Sequence, residues 1–288
     1  MIVNTLTEVK DFLQAQFCYH FFITPLPLPL EKEYRDFAAR ACEFVASKRT
    51  AVIHRDKPRH HVIHRFEQPG NPQAKKVLVT HGWMSRAAYM VRVIRALHQQ
   101  GYDVYAIDFP AHGEARGWQL TWLDAVSILK ETLNELGPFY AVLGHSFGGS
   151  MLLNTLNLAH QLPEWEIEHM PDKAILIASP TQMRTPVSKL ARRLGLNGSA
   201  FLQLRNVIRQ NSKTSIDHLN YRRMINSCEI PILCIHGKED DSISPQESII
   251  FCRRYPFASL TLLPGVDHVG VLIDSRVETR VVQYLESD

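Results

Sequence analysis

The sequence predicts an α/β fold, a mostly parallel, doubly wound sheet with helices on both faces, and three observations point to it. Short runs of near-continuous apolar residues recur along the chain, as strands buried on both faces require. They alternate with stretches of helical period, the interleaving expected of a parallel sheet built from crossover units. One run, from Phe139 to Leu143, leads directly into Gly144-His145-Ser146-Phe147-Gly148-Gly149, a serine with glycine two positions before and two after it. A turn that tight holds Ser146 at a strained backbone angle, and a side chain at 144 or 148 would meet the neighbouring strand or helix.

Taken in order, Leu6, Val9, Leu13 and Phe17 keep helical spacing, and the Pro-Leu tract from Pro25 to Pro29 then forces an extended segment. A second amphipathic helix is predicted over 31–46, with Tyr34, Phe37, Ala41 and Phe44 on one face. Residues 1–50 are therefore read as an N-terminal helical arm packed on the main domain, with a membrane-surface or dimerisation arm as the alternative. Residues 51–66 alternate as a hairpin does, and strands follow at 77–80, 104–107, 139–143, 174–178, 232–235 and 260–263. Helices are predicted over 86–99, closed by Gly101, over 122–136, closed by Gly137, and directly after Ser146. A further helix is opened by the capping box Ser244-Pro245-Gln246-Glu247, and a last one ends the chain. Residues 179–228 break the rhythm. A stretch of about 50 residues of helical, non-strand character is too long for a loop and is predicted to be a helical lid. The α/β core then comprises 51–178 and 229–288.

A chain of 288 residues can bury one large core, and 45% hydrophobic with 21% charged residues is an ordinary soluble composition. A net charge of +3 is too small to imply a nucleic-acid partner. Glu8, Lys10 and Asp11 interrupt the one candidate signal sequence, and no run reaches the ~18 apolar residues of a membrane span. Five dispersed cysteines (Cys18, Cys42, Cys228, Cys234, Cys252) fit free thiols in a reducing compartment, so a cytoplasmic protein is expected. The charge is unevenly spread. Residues 180–226 carry nine basic side chains against the single acid Asp217, a net +8, which leaves the remainder negative. Either this is a solvated basic face, or its field attracts an anionic substrate or docks the lid on an anionic surface.

Ligands of doubly wound sheets bind beyond the carboxyl ends of the strands. There stand His81-Gly82-Trp83, Asp108 to Gly113, Ser146, His236 to Asp241, and Pro264 to His268. A nucleophile, an acid and a histidine thus reach one edge in the order Ser, Asp, His. His54, His60, His61 and His64 also cluster, but no nearby Cys or carboxylate completes a metal set, and they are read as solvated hairpin residues. His81 and His112 are read as loop-holding groups, and His145 as packing under the sheet end or at the site edge with no part in proton transfer. Asp267 is read as a turn former. Neither a dinucleotide fingerprint nor a P-loop is present, so no cofactor is expected.

Over roughly residues 50–286 these motifs resemble the α/β-hydrolase fold family, through His81-Gly82-Trp83, Asp108 to Gly113, Gly144 to Gly149 and the acid and histidine positions. The pattern is most similar to its lidded esterases, lipases and thioesterases. That resemblance implies a serine hydrolase that cleaves an ester or thioester of a small acyl compound through an acyl-serine intermediate. Ser146 is the implied nucleophile, His268 the base, and a buried carboxylate the group that orients the imidazole. The acid is Asp240 by its spacing from Gly237, or Asp241 by its spacing to Pro245; the tighter strand-end turn favours Asp240. The backbone N–H of Phe147 and, by resemblance, that of Trp83 would hold the oxyanion. Amide or carbon–carbon cleavage, or a ligand receptor or interaction protein on the same scaffold, are the alternatives. No metal is expected, and the oligomeric state is left open.

Overall fold

Eight strands form one sheet in the computed structural model of the protein, which describes residues 2–26, 32–212 and 230–287. The strands are β1 (Ala51–Arg55), β2 (His61–Phe66), β3 (Lys76–Thr80), β4 (Asp103–Asp108), β5 (Ala141–His145), β6 (Lys173–Ile177), β7 (Ile232–Gly237) and β8 (Ala258–Leu263). Their spatial order is β1-β2-β4-β3-β5-β6-β7-β8. The β1–β2 hairpin pairs antiparallel with itself and with β4, and every later pairing is parallel. From β3 the chain steps to β4 on one side and then returns to β5 on the other. The order therefore reverses between β3 and β5, where an α/β sheet opens its ligand crevice.

The described helices are α1 (Ile2–Ile23), α2 (Lys32–Lys48), α3 (Val91–Gln99), α4 (Trp122–Leu136), α5 (Phe147–Gln161), α6 (Arg184–Arg193), α7 (Gly198–Ser212), α8 (Gln246–Arg254) and α9 (Ser275–Glu286). The alternation of strand side chains splits the core in two. Leu78, Val142, Ala174 and Leu176 pack with α1, α4, α5 and α8 on one face. Val77, Val79, Leu143 and Ile175 pack with α2, α3 and α9 on the other. With both faces covered, the inner strands have no polar alternation to display, which is why they read as continuous apolar runs.

Three expectations shift. Strand β5 begins two residues later than predicted and runs through Gly144 and His145, so Ser146 follows its last residue directly. The capping box at 244–247 does not form: Pro245 occupies the cap position with no side-chain cap bond. Its Glu247 is buried and accepts instead from the backbone N–H of Thr181 at 3.0 Å. A capping box does form at Thr121 and Asp124, opening α4. The N-terminal arm packs on the main domain, but α1 buries Ala15, Cys18, Tyr19 and Ile23 while Leu6, Val9, Leu13 and Phe17 face outward. Its Asp11 is buried and accepts from the side-chain amide of Asn197 at 3.0 Å, tying α1 to the start of α7. On α2, Phe37, Ala41 and Phe44 do turn inward, as their spacing predicts.

Helices α6 and α7 occupy the interval between β6 and β7. Leu204 and Ile208 of α7 enter the core and Phe201 is half-buried. Residues 213–228 of the predicted lid, with Lys213, Asp217, Arg222, Arg223 and Cys228, lie outside the described residues, as do residues 27–31, which take in the end of the Pro-Leu tract.

Candidate active site

Ser146 sits between β5 and α5 with φ +48° and ψ −116°, a conformation that costs a non-glycine residue about 1–3 kcal/mol. The cost is met by packing that leaves the backbone no other path. A Cβ at 148 would lie 2.5 Å from both the Thr80 hydroxyl and the His81 carbonyl oxygen. At 144 it would run into the backbone of Gly149. The elbow also recurs in kind around it. Among the described residues, the non-glycine positions with positive φ are Met84, Ala111, Ser146 and Ala178, which follow β3, β4, β5 and β6. Strain is thus concentrated at the carboxyl edge of the sheet, and nothing in the residue types at 84, 111 or 178 signals it.

The structure brings Ser146, His268 and Asp240 together. Ser146 Oγ lies 3.0 Å from His268 Nε2, and His268 Nδ1 lies 2.7 Å from Asp240 Oδ2. Asp240 is buried, and its Oδ1 accepts from the backbone N–H groups of Ser242 and Ile243 at 2.9 and 2.8 Å. Burial alone would raise its pKa, but hydrogen bonds from His236 and His268 outweigh that and hold the carboxyl well below the usual carboxylate range. Asp241, one residue on, is exposed and is not brought to His268; its carboxylate meets the Ser242 hydroxyl at 3.3 Å. Asp267 accepts from the N–H groups of Val269 and Gly270, as a turn former does.

Behind Asp240 stands a residue that sequence reasoning passed over. His236, fully buried at the end of β7, donates from Nε2 to Asp240 Oδ2 at 3.1 Å and to the Ile243 carbonyl at 3.0 Å. Its Nδ1 accepts from Ser248 Oγ at 2.8 Å, which sets the tautomer. The signal available in the sequence was only its place four residues before the favoured acid.

The expected oxyanion donors flank the sheet's switch point. Phe147 is the first residue of α5, so its N–H has no partner within the helix. Trp83 follows β3, whose Thr80 pairs with Gly144 of β5. Its indole packs against Phe147 and His112, with ring centroids 5.3 and 5.1 Å apart. The loop is held by the two histidines assigned to that task. His81 Nδ1 donates to the Gly82 carbonyl and Nε2 accepts from Phe109 N–H. His112 Nδ1 donates to the Pro110 carbonyl and Nε2 accepts from Met84 N–H. Burial pushes the His112 imidazole down to about 3, so it remains neutral while doing this. His145, down to about 3 for the same reason, packs against the His268 ring and donates from Nε2 to the His268 carbonyl at 3.2 Å.

One expectation for the hairpin histidines is overturned. His61 and His64 are buried, because β2 is an inner strand paired with β4 rather than a solvated ribbon. His64 donates from Nε2 to Asp108 Oδ2 at 3.0 Å and accepts from Arg49 at 2.8 Å. Asp108 also accepts from the N–H groups of Ala87 and Glu114. Burial raises its pKa, and the His64 bond with the His81 and His64 rings more than reverses this, so it stays ionised.

Beside Trp83 opens an apolar groove of about 410 Å³, walled by Phe21 and Phe22 of α1, Trp83 and Met84, and Leu190 and Arg193 of α6. A larger cleft of about 650 Å³, around Lys76, Tyr140 and Asp172, lies at the opposite edge of the sheet, where the strands begin.

A parallel sheet with a strained serine at its switch point and a histidine–carboxylate pair opposite defines a class of hydrolytic folds. The profile of the α/β hydrolase family matches residues 77–282, and the chain belongs to that family. It is similar to the pimeloyl-[acyl-carrier protein] methyl ester esterase of Nitrosomonas europaea, 24% identical over 72% of this chain and 93% of that protein. An uncharacterized hydrolase of Bacillus subtilis is 32% identical over 34% of this chain and 36% of its own. Among solved structures, an esterase of Pyrococcus furiosus superposes with a TM-score of 0.61 at 19% identity, over 92% of this chain and 97% of that one. Est1E of Butyrivibrio proteoclasticus, with ferulic acid bound, gives 0.61 at 17% identity, over 82% and 100%.

Proposed function

We propose that the protein hydrolyses carboxylic esters or thioesters of small acyl compounds through an acyl-serine intermediate. The observation that carries this reading is the chain from Ser146 Oγ to His268 Nε2 at 3.0 Å and from His268 Nδ1 to Asp240 at 2.7 Å. In the first half-reaction Ser146 Oγ attacks the acyl carbon while His268 Nε2 takes its proton. The oxyanion accepts from the N–H groups of Phe147 and Trp83, each worth about 3 kcal/mol to the transition state. Collapse expels the alcohol or thiol, which receives the proton from His268. Water, deprotonated by the same nitrogen, then releases the acid and restores the serine. Asp240 stays ionised throughout. Its Oδ2 accepts from His268 Nδ1–H at 2.7 Å, which holds the proton on Nδ1 and leaves Nε2 free to act as base.

The family membership and the named activity of the Nitrosomonas esterase support an ester as the substrate. Arg193 in the wall of the groove favours an acyl compound that also bears a carboxylate or phosphate. The test is direct. Ser146→Ala should abolish turnover of a small activated ester and labelling by a fluorophosphonate, while its melting temperature stays near wild type. Turnover within a few-fold of wild type would remove Ser146 from the chemistry.

A further inference from the structure

The outward face of α1 is an exposed apolar surface that the proposed chemistry leaves unused. Leu6, Val9, Phe12, Leu13, Phe17 and Phe21 are each between 37 and 68% exposed on this one helix. The helix cannot roll to hide them. Its other face is locked in the core through Ala15, Cys18, Tyr19 and Ile23, and Asp11 is bonded to Asn197. Among the described residues no helix is long and apolar enough to cross a membrane, so the stripe is not part of a span.

Two further observations say what covers it. The stripe runs into the groove beside the site, whose wall includes Phe21, the exposed Leu26 and Met84, and Arg193. The helices beneath and beside α1 are basic: residues 184–212 hold Arg184, Lys189, Arg192, Arg193, Arg205 and Arg209 and no carboxylate. Of these, Arg184, Arg192, Arg193 and Arg209 are exposed, and on α7 Leu202 is 58% exposed. An apolar stripe next to a cationic surface is the arrangement of a helix that lies in a lipid–water interface.

We propose that this face docks on an anionic lipid surface, with α1 in the plane of the interface and the arginines of α6 and α7 at headgroup level. The groove beside Trp83 would then open toward the lipid, and an acyl ester bearing an anionic group could enter it from the headgroup layer, with Arg193 in the groove wall facing that group. A second copy of the chain is a poorer occupant. A two-fold contact through α1 would bring the basic helices of both copies together, and like charges facing one another oppose association.

The test uses the full chain and vesicles of phosphatidylcholine, with and without phosphatidylserine, read by sedimentation. The protein should sediment with the phosphatidylserine vesicles and hardly with phosphatidylcholine alone. Binding should weaken as salt shortens the Debye length from about 30 Å at 0.01 M to about 10 Å at 0.1 M. Leu13→Ser with Phe17→Ser should cut vesicle affinity by about tenfold or more while hydrolysis of a water-soluble ester is unchanged. Arg192→Ser with Arg209→Ser should weaken binding to anionic vesicles. Absence of binding to the anionic vesicles would overturn the proposal, and so would binding indifferent to the Leu13 and Phe17 changes. A solution dimer that those two changes dissociate would assign the face to a second copy instead. Sedimentation reads no turnover, so a failure of ester hydrolysis leaves this result standing.

Discussion

Asp240→Asn separates the two candidate acids and tests the orientation argument at its centre. The carboxylate uses both oxygens fully: Oδ1 takes two backbone N–H groups, and Oδ2 takes His268 at 2.7 Å and His236 at 3.1 Å. An asparagine can keep the backbone pair with its carbonyl oxygen, so the 240–243 turn survives. Its NH2 group then points at His268 Nδ1 and His236 Nε2, a donor facing two donors. His268 relieves the conflict by moving its proton to Nε2, and in that tautomer it cannot accept from Ser146. The loss expected is about three to four decades in kcat, or about 4 to 5 kcal/mol of transition-state stabilisation. Asp241→Asn, at an exposed carboxylate, should change kcat by less than a few-fold. The assay is hydrolysis of a small activated ester, with melting temperature measured alongside as a control for folding. Asp240→Asn activity within about tenfold of wild type would refute the reasoning, and if Asp241→Asn instead showed the large loss, the role would pass to Asp241.

Three other outcomes follow from the same geometry. His112 and His145 are neutral in the fold, down to about 3 by burial, against an ordinary value near 6.5, so between these limits the unfolded chain binds protons that the native state refuses. Their contribution is complete above about pH 6.5 and is lost as pH falls, by about 2 kcal/mol each at pH 5. Urea midpoints from pH 7.5 to 5 check this, and a flat profile would contradict it. His64→Leu strands the buried Asp108 carboxylate with only its two backbone donors and should cost about 3 kcal/mol of stability in urea unfolding. Ser146→Ala should leave both of those stability profiles unchanged, which separates the chemistry of the elbow from its structural cost.

The strands, the glycine-flanked serine turn and the Ser, Asp, His order beyond the strand ends were legible because each of these residues is marked by its immediate neighbours in the chain. Apolar runs mark strands buried on both faces, and glycines at 144 and 148 mark a turn that has no room for a Cβ. Spacing along the chain could narrow the acid to two neighbours, and by itself it already favoured Asp240. What spacing could not supply was contact between distant segments. The bond from His64 to Asp108 depends on β2 pairing beside β4, and Glu247 left its predicted cap because Thr181 arrives beside it from another part of the chain.

The first helix makes the distinction most clearly. Its sequence determined that an amphipathic helix would form, since the helical repeat is a local property of the chain. Which stripe would be buried was decided by the partner surface. Asn197, just before α7, bonds Asp11, and the core receives Ala15, Cys18, Tyr19 and Ile23 from the same face, so Leu13 and Phe17 were left outside. Periodicity states that a helix has faces; only packing against a particular neighbour chooses between them, because that choice is made by shape and hydrogen bonding across the interface rather than by hydrophobicity alone.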